Sequence, residues 1–300
     1  MNRLLPASAL LVLTVCGSLA AAPAGSDGPR AYRDWQSSTV TANGLRLHYW
    51  RTGGEGKPVL IMAHGITDYG LNYAHLAEKF AADFDIILYD ARGHGYSDKP
   101  DGPYTLAAHA ADLVGLIQAL GLEHPILMGH SMGGSTISLA IATHPGLARA
   151  IVLEDPANMI DPEQGLTEKV IPNWRAQIEN NQKIPVAELI RNARTQYHPG
   201  WSDAAYELWA ESKRLVSPQV IEILHGEGFG SAAAVFPKIT VPTLILKADA
   251  NAKLRKRHQQ LAQLLPHGRL VHIAGAGHVI RNDRPAEVEK QLREFLVALK

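Results

Sequence analysis

Ser131 stands in the run Gly129-His130-Ser131-Met132-Gly133-Gly134, with a glycine two positions away on each side. Fixing so many glycines costs conformational entropy, so the run implies a corner too tight for side chains. Pro125 to Met128 reads as a buried strand, and Met132 to Thr143 spaces Ile137, Leu139, Ala140 and Ile141 as a packed helix does. Ser131 therefore sits at a strand-to-helix corner, its hydroxyl lifted above the sheet and faced by a helix N-terminus. A serine hydroxyl is a weak nucleophile near neutral pH, and needs a base within hydrogen-bond reach and a third group to orient that base. His278 ends a buried strand in the small-residue loop of HIAGAGHVI, where it can lean over the sheet edge. The acids within range of such a role are Asp249 in LILKADAN, and Asp155 or Glu154 in LEDP.

The elements that must hold these residues alternate between strand and helix. LRLHYWRTG (45 to 53) has period two; PVLIMAHG (58 to 65) and DIILYDARG (85 to 93) are buried runs. Helices are expected over 72–80 and over 107–120, the latter closed by Gly121. RAIVLEDP (149 to 156), VPTLILKADA (241 to 250), a helix over 255–265, GRLVHIAGAGH (268 to 278) and a final helix from Pro285 continue the pattern. Such alternation predicts an α/β fold, a mostly parallel sheet with helices on both faces. From Ala157 to Phe236 no buried strand is legible, and Trp174, Tyr197, Trp201, Tyr206 and Trp209 lie among helix-like segments. Most of these aromatics are expected to pack that insertion onto the core, with one or two lining a cleft.

The GHSMGG corner, the HGITDYG loop (64 to 70) and the GAGH loop (275 to 278) resemble those of the α/β-hydrolase fold family, in its esterase-like serine branch. The resemblance runs from about residue 40 to the end, the insertion apart. It implies an eight-stranded-type sheet and a helical cap inserted before the next-to-last strand. Expected boundaries are a signal peptide at 1–24, a linker at 25–38, a core at 39–156 and 237–300, and the cap at 157–236. The family order of serine, acid, histidine implies Ser131, Asp249 and His278 as the catalytic set. Where many relatives carry the acid three residues beyond a glycine, this chain has Asn251, an amide that cannot stabilise an imidazolium. Asp249 is favoured for that reason, and Asp155 is the alternative at a position that some relatives use. The resemblance also implies an oxyanion hole from the backbone amides of Ile66 and Met132. His64, Arg92 and His94 are read as bracing loops.

Composition narrows the classes. Lys plus Arg and Asp plus Glu balance at 29 each in 300 residues, so no net field favours nucleic acid or an anionic membrane. The dense basic run RKRH (255 to 258) reads as a solvated helix face. The start has one arginine, an apolar run from about Ala9 to Leu19, and small residues at Ala20, Ala22 and Ala24. That is a secretory signal pattern, too short for a comfortable membrane span. Export to the periplasm or medium is expected, without stable membrane insertion after cleavage. Cys16, the single cysteine, lies in a loose lipobox whose Val15 fits poorly, and leaves the mature chain without a disulfide or a cysteine metal site.

The chemistry these features predict is cleavage of a small carboxylic ester or lactone through an acyl-enzyme on Ser131. No metal or organic cofactor is implied, since neither H-E-x-x-H nor G-x-x-x-x-G-K occurs. Epoxide hydrolases and haloalkane dehalogenases of this fold place an aspartate at the corner, which Ser131 argues against. The same triad also serves amide hydrolysis, carbon–carbon cleavage and cofactor-free perhydrolase or haloperoxidase chemistry. A binding protein that has lost catalysis is the reading from another class.

Overall fold

The computed structural model describes residue 32 and residues 34–160, 171–197 and 200–299. The expected signal peptide, Cys16 and the start of the linker lie outside the described residues.

Eight strands form one sheet: β1 (Gln36–Ala42), β2 (Leu45–Arg51), β3 (Val59–Ala63), β4 (Asp85–Tyr89), β5 (Ile126–His130), β6 (Ala150–Glu154), β7 (Thr243–Lys247) and β8 (Gly268–His272). Their order is β1-β2-β4-β3-β5-β6-β7-β8. The β1/β2 and β2/β4 pairs are antiparallel and all the others parallel. Strands β4, β5, β6 and β7 are buried along their whole length, as strands covered on both faces must be.

Alternate residues of the central strands feed two cores. Ile61, Ile87, Leu127, Ile151 and Ile245 pack on one face, against α2 (Leu106–Ala119) and α3 (Met132–Thr143). Leu60, Met62, Ile86, Leu88, Met128, Val152 and Leu244 pack on the other, with Leu76, Ala77 and Phe80 of α1 (Ala74–Phe80) and Val288, Leu292 and Leu296 of a C-terminal helix. The parallel strands all end at the same edge of the sheet, and the loops leaving that edge carry Ser131, Asp155, Asp249 and His278.

Between β6 and β7 the described residues contain no strand. They form α4 (Ile171–Asn181), α5 (Val186–Asn192), α6 (Asp203–Leu215) and α7 (Ala232–Val235), with short 3-10 turns and one π-helical turn. The described part of the insertion before the next-to-last strand is thus helical. After β7 come α8 (Ala252–Ala262), α9 (Ile280–Asp283) and α10 (Pro285–Val297). The fold begins earlier than expected, because β1 starts at Gln36 inside the stretch read as linker. No described helix is long and apolar enough to cross a membrane.

Candidate active site

Ser131 occupies the residue between β5 and α3, with φ 50° and ψ −112°. That conformation is strained for a residue with a Cβ and persists only where the surroundings over-determine it. Here they do. A methyl group at Gly133 would overlap the carbonyl oxygens of Ala63 and His64, and one at Gly129 would meet the backbone of Gly133. The glycines thus let β5, β3 and α3 approach closely enough to hold the corner. Ser131 is held further by its own N–H, which donates to Glu154 O at 3.0 Å, and by its carbonyl, which accepts from the Ala157 amide at 3.1 Å.

His278 reaches the site from the loop after β8. Its Nδ1 donates to Asp155 Oδ2 at 2.6 Å, which leaves Nε2 as the lone-pair nitrogen. Asp155 follows β6 in a left-handed conformation, φ 40°. Burial alone would raise its carboxyl, but the hydrogen bond from His278 and the charge of Lys247 outweigh burial and hold it well below the usual carboxylate range. Lys247, at the end of β7, is itself buried and pairs with Asp155 Oδ1. The carboxylate beside His278 is therefore held in its ionised form.

Asp249, favoured from the sequence, does not orient His278. Its exposed carboxylate accepts from the amides of Gly275 at 2.7 Å and Ala250 at 2.8 Å, and from Arg255 at 2.5 Å. Those partners, the Gly275 amide first, hold its carboxyl below the ordinary value. They make Asp249 a brace for the histidine loop. The carboxylate on His278 comes instead from the alternative position, Asp155, one strand nearer the serine. Glu154 faces the other way, accepting from Tyr73 and Arg281 in the core.

Ser131 and His278 line one cavity of about 430 Å³ between core and cap. The hydroxyl and the imidazole share no hydrogen bond among the described residues, a contact that in unliganded sites often tightens only around substrate. Ile66 lines the same cavity, and Met132 is the first residue of α3, whose N–H has no partner within its helix. Neither amide donates to another loop among the described residues. The resemblance assigns these two amides to an oxyanion hole; the structure places Ile66 on the wall of the serine's cavity and Met132 directly after Ser131.

The predicted braces are braces. His64 Nδ1 donates to Gly65 O at 2.8 Å and its Nε2 accepts from the Ala91 amide at 2.9 Å. Arg92 grips both oxygens of Asp112 at 2.6 Å. His94 Nδ1 donates to Arg92 O, and its Nε2 accepts from the Thr67 amide at 3.3 Å.

The cap closes the cavity with Ile160, Trp174, Ile178, Leu189 and Trp209, and with the amides Gln177, Asn180, Asn181 and Asn192. Of the cap aromatics, Trp174 and Trp209 reach the cavity, whereas Trp201 stacks on Tyr206 at 5.9 Å and donates to Asp283 at 2.7 Å. Three ionisable lining residues had no role assigned from the sequence: Asp68, His130 and Lys213. His130 Nε2 donates to His278 O at 2.9 Å, tying the corner to the histidine loop. Burial first, then the charge of Arg281, keeps its ring neutral.

Comparison with known proteins places this geometry in context. A family model described as the alpha/beta hydrolase fold matches residues 58–283. The N-formylmaleamate deformylase of Pseudomonas putida is 30% identical over 245 residues, covering 80% of this chain and 89% of that protein. The 2-(acetamidomethylene)succinate hydrolase of Mesorhizobium japonicum is 27% identical over 261 residues, covering 83% and 91%. The solved structure of an N-formylmaleamic acid deformylase from Pseudomonas putida superimposes with a TM-score of 0.72 at 25% identity, covering 86% of this chain and all of that one.

Proposed function

Because the chain belongs to the α/β-hydrolase fold family, we propose that it is a serine hydrolase using Ser131, His278 and Asp155, and that its substrate is a small carboxylic ester or lactone. The observation that carries this reading is the 2.6 Å bond from His278 Nδ1 to an ionised, buried Asp155 beside a strained serine at a helix N-terminus. His278 Nε2 takes the Ser131 proton as Oγ attacks the carbonyl carbon. The negative charge that forms on the carbonyl oxygen is met by the amides of Ile66 and Met132. As the tetrahedral adduct collapses, the leaving alkoxide takes the proton from His278. Water, deprotonated by the same nitrogen, then releases the acid from Ser131.

The apolar side chains of the cap wall favour a substrate with an apolar portion, the amides beside them a polar group, and the cavity volume limits it to a small molecule. Amide hydrolysis is the second reading, favoured by the 30% identity to a protein named as a deformylase of N-formylmaleamate. The secretory signal pattern read at 1–24 supports export, which N-terminal sequencing of the secreted or periplasmic protein tests.

Both readings are separated by one assay. Hydrolysis of a p-nitrophenyl ester series and of matched p-nitroanilides is measured for the wild type and for Ser131→Ala, each checked for folding. Ester turnover that vanishes with the serine supports the first reading; anilide turnover exceeding it favours the second; rates unaffected by Ser131→Ala defeat both.

A further inference from the structure

We propose that Lys213, a buried lysine of the cap helix α6, is a positioning residue for catalysis: it fixes the oxyanion loop so that the Ile66 amide faces the developing charge. The inference rests on the serine-hydrolase reading above.

Thr67 directly follows Ile66 and has φ 64°, a left-handed conformation that a branched residue adopts only under constraint. His94 Nε2 holds the Thr67 amide from the core side at 3.3 Å, and a second set of bonds holds the rest of Thr67 from the cap. Lys213 Nζ donates to Thr67 O at 2.9 Å, to Thr67 Oγ1 at 2.9 Å and to Asp68 Oδ1 at 3.0 Å. All three ammonium protons are thereby used on two adjacent residues of one loop. Two places along α6, Glu211 accepts from Tyr69 at 2.8 Å and from Tyr96 at 2.9 Å, so the helix grips residues 67–69 along its last turns.

The ammonium is 6% exposed with its residue and sits 5.1 Å from the centroid of the Trp209 ring. A buried cation is costly unless paired, and Asp68 pairs it. Asp68 in turn lies 3.5 Å from Arg281 and 3.8 Å from His130, the neighbour of the nucleophile. The charge of Lys213 is thus spent on the protein, and not held ready for an anionic substrate. Its hydrogen bonds instead join the cap to the one loop whose backbone must not move while charge develops.

The test compares the wild type with Lys213→Met and Lys213→Arg on a neutral aryl ester and on an anionic one, beside Ser131→Ala. Affinity for an aryl boronic acid, which forms a tetrahedral adduct on serine, is measured in parallel. Hydrogen exchange of the peptide spanning residues 64–69 is followed in each folded variant. We expect Lys213→Met to lower kcat about 10- to 100-fold with KM changed less than about threefold. Boronate affinity should fall by a similar factor, Lys213→Arg should recover part of both, and exchange over 64–69 should quicken. Unchanged kcat with a raised KM confined to the anionic ester would overturn the proposal, making Lys213 a substrate contact. Unchanged exchange over 64–69 would overturn it whatever the activity. Failure of the parent reading has a separate signature, wild-type rates equal to those of Ser131→Ala.

Discussion

Asp155 pairs with two ionisable side chains, His278 on one oxygen and Lys247 on the other, and the consequences of losing it separate into two measurable parts. Asp155→Asn should lower kcat for ester hydrolysis by roughly 10³- to 10⁴-fold, since an amide there no longer favours the tautomer and orientation that His278 needs. It should also lower stability by about 3 kcal/mol, because Lys247 is left as an unpaired buried cation. Adding Lys247→Met should restore the melting temperature without restoring the rate. Asp249→Asn, by contrast, should change kcat less than about tenfold, its carboxylate being engaged with the Gly275 and Ala250 amides and Arg255 and not with His278 among the described residues. Both acids end a strand of the same sheet with a turn-forming sequence, so local pattern does not rank them. What ranks them is the approach of the loop after β8 to the end of β6, a distance set by the packing of whole strands. Ser131 and His278 were legible because glycines and alanines around a polar residue leave a local steric signature. Lys213 was not, since a lysine on an amphipathic helix reads as solvent-facing until the loop opposite is known.

At the scale of elements, the corner between β5 and α3 depends on backbone contacts that no side chain can share. Gly133→Ala should destabilise the protein by about 3 kcal/mol, near the upper end of ordinary overpacking costs, because the atoms in the way are carbonyls of β3 and its loop. Urea or thermal unfolding beside wild type measures it. The central strands and α3 were readable from continuous apolar runs and from helical spacing that tertiary packing did not override. Strand β1 was not readable as part of the core. Its sequence, QSSTVTA, pairs with β2 through the register Gln36↔Arg51 to Ala42↔Leu45, yet most of its residues face solvent. The signal that marks it is the turn Asn43-Gly44, whose φ values of 49° and 77° suit the tight hairpin linking β1 to β2. The cap was legible as an interruption of the strand rhythm, but which aromatics reach the cavity depends on how its helices lie across the core.

Across the whole molecule, the balanced charge and ordinary apolar content indicated a globular chain, while the burial of ionisable groups emerged only with the fold. His64, His94, His109 and His130 are all buried, and burial is the largest cause pushing each of them down, His109 to about 3. In the unfolded chain each would take a proton near pH 6.5. Between that value and its depressed folded value each histidine binds more proton when unfolded, so stability falls as pH drops below about 6.5. Each such site contributes up to about 1.4 kcal/mol per pH unit. Asp68 and Asp155, held below the carboxylate range despite burial, add a further loss at lower pH as protonation removes their pairing. Denaturant unfolding from pH 7.5 to 4.5 should show this slope, and His109→Leu, which removes a ring whose Nε2 has no partner, should reduce it by about one proton. A flat profile between pH 6.5 and 5 would contradict the burial of these rings in solution.

The central claim is that a covalent acyl-enzyme forms on Ser131, oriented by the Asp155–His278 pair. The most direct measurement is intact-protein and peptide mass spectrometry of Asp155→Asn, quenched during turnover of a p-nitrophenyl ester; the activated leaving group eases acylation of Ser131, whereas water must attack an unactivated serine ester, so the adduct accumulates. The account predicts a mass increase equal to the acyl group less the hydroxyl hydrogen it replaces, located on the peptide carrying Ser131 and missing from Ser131→Ala. Continued turnover with no adduct, or an adduct on another residue, would contradict it.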